Sequence, residues 1–171
     1  MNRFARMSFF VQLMLVAGAA MMIPAIYGLA IGEHADSRAF FYPGVMLLVL
    51  GAMLAIARNR PAATEDRDSK RDRDREGRTQ LLTLLAAYTI LPLALAVPFV
   101  EATRDTSFFN AYFEMVSALT TTGATLFDEP DRLSRTVHLW RAVVGWFGGL
   151  LAWITAIAVL APMNLGGFEV L

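Results

Sequence analysis

Apolar and polar positions divide this chain into four long apolar runs, one short one, and a single long charged interval. The long runs cover about Met7 to Ile31, Ala39 to Ala57, Leu81 to Val100 and Thr136 to Met163. A helix needs roughly 20 apolar residues to cross a bilayer, so each run predicts a membrane span. The first run carries Ala17, Gly18, Ala19 and Ala20, small residues that let helices approach closely, and Pro24, which a membrane helix tolerates when neighbours satisfy the freed carbonyl. A polar turn, Gly32 to Arg38, leads into the second run. There Phe40, Phe41 and Tyr42 predict an aromatic interfacial anchor, with Pro43 in the first helical turn. The expected product is a helical hairpin over residues 1–57.

The interval Arg58 to Gln80 is almost free of apolar residues and cannot bury a core, which predicts a solvated loop. The third run follows, with Pro92 and Pro98, and then a polar stretch, Glu101 to Thr106. Ser107 to Leu119 is the short run; its 13 residues span roughly 20 Å as a helix, too little to cross a membrane. Phe108, Phe109, Tyr112 and Phe113 fall on one broad helical face, and Ser107 can cap the start. Behind it stands Thr120-Thr121-Thr122-Gly123-Ala124-Thr125, and then an acidic stretch with Asp128, Glu129 and Asp131. The pattern predicts an all-α membrane protein: a hairpin (1–57), a charged cytoplasmic linker (58–80), and a unit of span, re-entrant half-helix, irregular segment and span (81–171).

Composition agrees. Of the 171 residues 56% are hydrophobic and only 18% charged, and eight of the fifteen basic residues lie between Arg58 and Arg78. Opposite charges alternate there, which cancels much of the field and argues against a nucleic-acid arm. Placing the N-terminus in the cytoplasm puts Arg3, Arg6 and those eight inside, against Arg38, Arg104, Arg132 and Arg135 outside. The positive-inside rule therefore predicts a multi-pass protein with four spans and both termini cytoplasmic. The basic start does not read as a cleaved signal, because about 25 apolar residues follow and further spans come after. The outer loops hold seven acids and four bases, a mildly cation-attracting mouth.

Cysteine is absent, which excludes disulfides and thiolate chemistry. His34 and His138 have no partner at metal-ligand spacing, and no nucleophile–base pair or phosphate-cradling loop is present, so the residues argue against an enzyme and call for no cofactor. The distinctive chemistry lies in the threonine/glycine run. Irregular backbone at membrane depth requires its polar groups to be covered by protein or water, and one use is to line an ion path with carbonyl oxygens. The half-helix would point its negative C-terminal end toward the bilayer centre, which suits a cation. Gly123 can take φ > 0 and turn a carbonyl toward such a path.

The residues Asn110 to Thr125, with Leu139-Trp140-Arg141 and Trp146-Phe147-Gly148-Gly149 downstream, resemble the first pore repeat of the TrkH/KtrB potassium transporter superfamily. Pro98-Phe99 and Gly166-Gly167 fit the same pattern, and residues 1–57 resemble the extra hairpin of the TrkH branch in pattern only. The resemblance implies a K⁺-translocating protein with four such repeats about one pore, gated by a cytoplasmic nucleotide-binding subunit. It assigns filter carbonyls to Thr121, Thr122, Gly123 and Ala124, flanked by Thr120 and Thr125. Only one repeat is found here, and Leu150 to Trp153 depart from the usual continuation. The remaining repeats are expected in another chain or as further copies of this one. The alternatives are a homotetrameric two-span channel, or a non-conducting truncated remnant or partner subunit.

Several neighbouring residues have structural readings. Glu114, costly inside a membrane, is expected to pair with Arg141 or with backbone donors near the filter, while Arg141 can equally snorkel to the interface. Gly145, Gly148 and Gly149 read as close helix packing.

Overall fold

The computed structural model describes residues 9–58 and 71–160. Arg3, Arg6, residues 59–70 and Gly166-Gly167 therefore lie outside the described residues. Five α-helices follow in order: α1 Phe9–Ala30, α2 His34–Arg58, α3 Arg71–Thr103, α4 Phe108–Leu119 and α5 Arg135–Leu160, with one 3₁₀ turn at Pro130–Arg132. No strand occurs among the described residues. The stretches Phe9–Ala30, His34–Ala57, Leu82–Thr103 and Arg135–Ile157 are each long and apolar enough to cross a membrane. The chain is an all-α membrane protein. Its outward-facing Ile26, Ile56, Trp146 and Trp153, all more than 60% exposed, would be a liability in water but are ordinary against lipid.

Lipid removes most of the hydrophobic drive between helices, so close packing and hydrogen bonds must hold them together. In the hairpin the small residues supply that packing. A Cβ added at Gly18 would lie 3.0 Å from the Gly44 carbonyl oxygen, and one at Gly44 would lie 3.2 Å from the Gly18 oxygen. Ser37 Oγ donates to the Ala25 carbonyl at 2.6 Å, just beyond Pro24.

The structure corrects the expected second span. Helix α2 starts at His34 rather than Ala39, so Pro43 is its tenth residue and not in the first turn. Gly32, at φ +84°, reverses the chain, and the Ser37 amide already bonds the Glu33 carbonyl at 2.9 Å. Asp36 in the first turn suits the positive pole of the helix. Phe40 also departs from the anchor reading: it is fully buried and packs on Trp140 with ring centroids 5.6 Å apart, while Phe41 and Tyr42 stay exposed.

A second correction concerns the charged interval, whose last ten residues, Arg71–Gln80, continue α3 rather than forming a loop. Once the apolar segment is helical, adding residues avoids the nucleation cost, and Arg, Glu and Gln are good helix formers. Helix α3 also runs on through Glu101 to Thr103. Its two prolines remove backbone donors, and side chains from other helices bond the carbonyls nearby. Tyr112 Oη donates to the Thr89 carbonyl at 3.1 Å, and Trp140 Nε1 donates to the Leu95 carbonyl at 3.3 Å.

Helix α4 buries Ala111, Glu114, Met115, Ser117 and Leu119 and turns Phe108, Phe109 and Phe113 outward. Of the expected aromatic face, only Tyr112 packs against the core of the described residues, and the three phenylalanines stay exposed. Ser107 caps α4, its hydroxyl accepting from the Asn110 amide at 3.2 Å. The C-terminal end of α4 presses on Gly148, about 20 Å along α5 from Arg135 at 1.5 Å per residue, which is near the midpoint of that helix. From there the chain climbs back. His138 Nε2 meets the Pro130 carbonyl at 2.9 Å, and Arg132 meets Asp105, just beyond the end of α3. The chain thus descends as a helix to the midpoint of α5 and returns beside it as irregular chain, forming a loop with its turn at mid-helix.

Candidate functional site

The turn at the foot of this loop is built from the last residues of α4. The Thr122 amide bonds the Ser117 carbonyl at 2.9 Å, and the Thr121 amide bonds that of Ala118 at 3.1 Å. That pair of bonds is the Schellman closure of a helix C-terminus, which places one residue in the left-handed region. The residue is Thr121, at φ +57°. A β-branched side chain there is unusual and costs about 1–2 kcal/mol. Gly123 is the second left-handed position, at φ +76°, and no atom lies within 4 Å of where its Cβ would be. Its glycine is thus explained by backbone conformation and not by lack of room in this chain.

Residues 120–126 are all exposed, so the segment presents an open wall. The Thr120 hydroxyl donates back to the Val116 carbonyl at 2.8 Å and meets the Thr122 hydroxyl at 2.8 Å. Among the described residues, no donor reaches the carbonyls of Thr121, Thr122 or Gly123. The Ala124 carbonyl differs: it accepts from Ser117 Oγ at 2.6 Å and so is tied back to α4. Of the four carbonyls assigned by resemblance, three are unengaged and one is held. Sequence reasoning missed Ser117. The available signal was its spacing of three residues from Glu114, which sets both on one side of the half-helix.

Glu114 is 1% exposed and fastens the C-terminal end of the segment. Its Oε1 accepts from Thr125 Oγ1 at 2.8 Å and from the Leu126 amide at 2.6 Å. Its Oε2 makes no hydrogen bond of good geometry but lies 3.1 Å from Arg141 Nη2. A buried carboxylate is tolerable only when paired in this way. Arg141, about a quarter exposed, thus turns inward rather than to the interface. Glu114, Ser117, Thr121, Gly123, Arg141 and Gly145 border an open recess of about 330 Å³ between the segment and α5.

The three glycines of α5 are not equivalent. A Cβ at Gly148 would stand 2.2 Å from the Leu119 carbonyl oxygen, whereas one at Gly145 or Gly149 would meet nothing closer than 3.9 Å. Gly148, and not the Gly145/Gly149 pair, lets the foot of the loop rest on α5. Above it, Phe127 packs on Phe99 with centroids 5.8 Å apart, and Arg132 lies over the Phe127 ring. Asp105, by hydrogen bond and charge, pushes the Arg132 guanidinium above its ordinary value. Among the described residues no group of three His, Cys, Asp or Glu side chains is placed to hold a metal ion. Helix α5 begins under two caps: Ser134 Oγ accepts from the Val137 amide, and Glu33 of the hairpin accepts from Thr136. Sequence reasoning missed the second cap, which joins residues 103 positions apart.

Similar sequences bear on this geometry. Over 92% of its length the chain is 30% identical to a Trk system potassium uptake protein TrkH of Escherichia coli (strain K12). Over 55% it is 35% identical to one named TrkH of Vibrio parahaemolyticus, and over 52% it is 38% identical to one named TrkI of Halomonas elongata. The aligned part amounts to 30% of the Escherichia coli protein and 20% or less of the other two, so the chain spans under a third of these relatives. The relatives are transporters, a non-enzyme class. No protein-family model matches the chain, and no solved structure matches it.

Proposed function

We infer, because this chain belongs to the Trk family of potassium uptake proteins, that residues 81–171 form one pore unit of a K⁺ path and that Thr120–Thr125 form one wall of its filter. The observation that carries this reading is a turn at mid-helix with three consecutive unengaged carbonyls, those of Thr121, Thr122 and Gly123. A K⁺ ion entering such a site exchanges hydration water for protein oxygens. The carbonyl end of α4, negative by its dipole, faces the same region and favours a cation. Conduction needs no covalent step; it needs oxygens held at fixed places, and the Glu114 cluster and Gly148 hold them. The Ala124 carbonyl joins the path only if Ser117 lets it turn.

One wall does not enclose an ion. The resemblance calls for four units, and the matched relatives are more than three times as long as their aligned part, which favours completion by further units of the same kind. The hairpin (1–57) and the charged interval (58–80) are assigned to the flank and the cytoplasmic side, with the N-terminus cytoplasmic by the positive-inside rule, in the bacterial inner membrane that the family resemblance implies. A cytoplasmic regulatory subunit is the partner that the family resemblance implies.

The test is Rb⁺ uptake, Rb⁺ standing in for K⁺, in cells lacking other K⁺ uptake and expressing the complete protein that contains this chain. Gly123→Val should abolish uptake while the protein remains in the membrane, because valine at φ +76° must rotate the segment. Unchanged uptake by that variant would rule the reading out.

A further inference from the structure

The turn joining α1 and α2 reaches across to the pore unit. Glu33 Oε2 accepts from the Thr136 hydroxyl at 2.6 Å and from its amide at 3.2 Å. Thr136 is fully buried and is the second residue of α5. Its amide is among the first four of a helix, which have no partner within the helix itself. The carboxylate also meets the positive pole of α5. Helix α1 is fitted to the same point: a Cβ at Gly28 would stand 3.0 Å from Thr136 Oγ1 and 3.3 Å from the Glu33 carbonyl oxygen.

From this latch a path along α5 and then through direct contacts leads to the proposed filter. Five residues beyond Thr136, α5 presents Arg141, which pairs with Glu114 at 3.1 Å. Glu114 in turn holds the Thr125 hydroxyl and the Leu126 amide. The hairpin is thus joined to the C-terminal end of the segment through Glu33, Thr136, Arg141 and Glu114. Helices are stiff along their axes, so the depth and rotation of the first turn of α5 set where Arg141 meets Glu114.

We propose that Glu33 is a positioning residue for the ion path: by capping α5 it keeps Arg141 on Glu114 and so holds residues 120–126 in register. This gives the hairpin a task in transport, and its transport consequence rests on the pore reading above. The role needs an acceptor oxygen at position 33. Glu33→Gln keeps one and should preserve the arrangement; Glu33→Ala removes it.

The experiment uses the complete membrane protein and two readouts, amide hydrogen exchange at Thr136 and Leu126 and the ratio of Rb⁺ to Na⁺ uptake. Glu33→Ala should speed exchange at Thr136 about tenfold or more, the scale of one lost hydrogen bond to a charged group. Exchange at Leu126 should rise with it, and the preference for Rb⁺ over Na⁺ should fall. Glu33→Gln should restore most of both. Should Glu33→Ala fail to fold, Thr136→Val removes the hydroxyl contact at nearly the same shape and should give the same pattern in weaker form. Faster exchange at Thr136 with Leu126 and the uptake ratio unmoved would make the cap local and overturn the proposal. If the unaltered protein moves neither ion, the pore reading fails, and the exchange at Leu126 alone then decides the positioning role.

Discussion

Replacing Gly148 by alanine adds one methyl group where α5 touches the foot of the α4 loop. That Cβ would stand 2.2 Å from the Leu119 carbonyl oxygen, 2.7 Å from its carbon and 2.9 Å from its Cα. Ordinary contact begins near 3.4 Å, so the end of α4 must retreat by roughly 1.2 Å, and all three atoms are backbone, which no rotamer change can move aside. Overpacking of this kind costs about 1–3 kcal/mol, against a gain of up to about 1 kcal/mol from exchanging glycine for alanine inside a helix. The net loss falls on Leu119, the residue just before Thr120. Gly145→Ala and Gly149→Ala provide the controls, because their added Cβ atoms meet nothing closer than 3.9 Å. Thermal unfolding in detergent and Rb⁺ uptake in cells would measure both consequences. Gly148→Ala should melt lower and transport poorly, while the two controls match or exceed the unaltered protein. If all three variants behave alike, the glycines act as a general small-residue seam, and the specific contact with Leu119 is refuted.

Other outcomes follow from the same geometry. Glu114→Ala should destabilise the protein by about 3 kcal/mol, because it strips Arg141 of its counter-charge and two donors of their acceptor; a double-mutant cycle with Arg141→Met should show strong coupling. Thr121→Gly should leave the melting temperature unchanged or slightly raised, since relief of about 1–2 kcal/mol of left-handed strain is offset by the freedom glycine loses on folding. Ser107→Ala should cost about 1 kcal/mol through loss of the α4 cap, read as a lower melting temperature. Asp105→Asn should change stability little, because both partners of its ion pair are at least half exposed, and any effect should vanish at high salt.

The long helices and the short α4 between two of them were legible in the sequence because run length alone separates the two kinds, and Ser107 marked where the short helix begins. Boundaries were less legible. Polar residues at 34–38 and 71–80 read as loops, yet they extend neighbouring helices, since propagation from an apolar segment costs little. Phe40 looked like an interfacial anchor because an aromatic cluster at a span end carries no sign of which ring turns inward. Glu114 was recognisable as a buried charge in need of a partner. The hold of Ser117 on Ala124, and that of Glu33 on Thr136, depend on where two elements meet in space. Thr121 was hidden for another reason: the left-handed position of a helix end normally selects glycine, and here the glycine stands two residues later.

The central claim is that the carbonyls of Thr121, Thr122 and Gly123 face a K⁺ path. Its most direct test is the anomalous scattering of Tl⁺, a heavy substitute for K⁺, in crystals of the complete membrane protein. The account predicts a Tl⁺ peak within coordination distance of at least one of these carbonyls, lost on soaking in Na⁺. Tl⁺ bound only elsewhere, with residues 120–125 packed against protein or lipid, would contradict it.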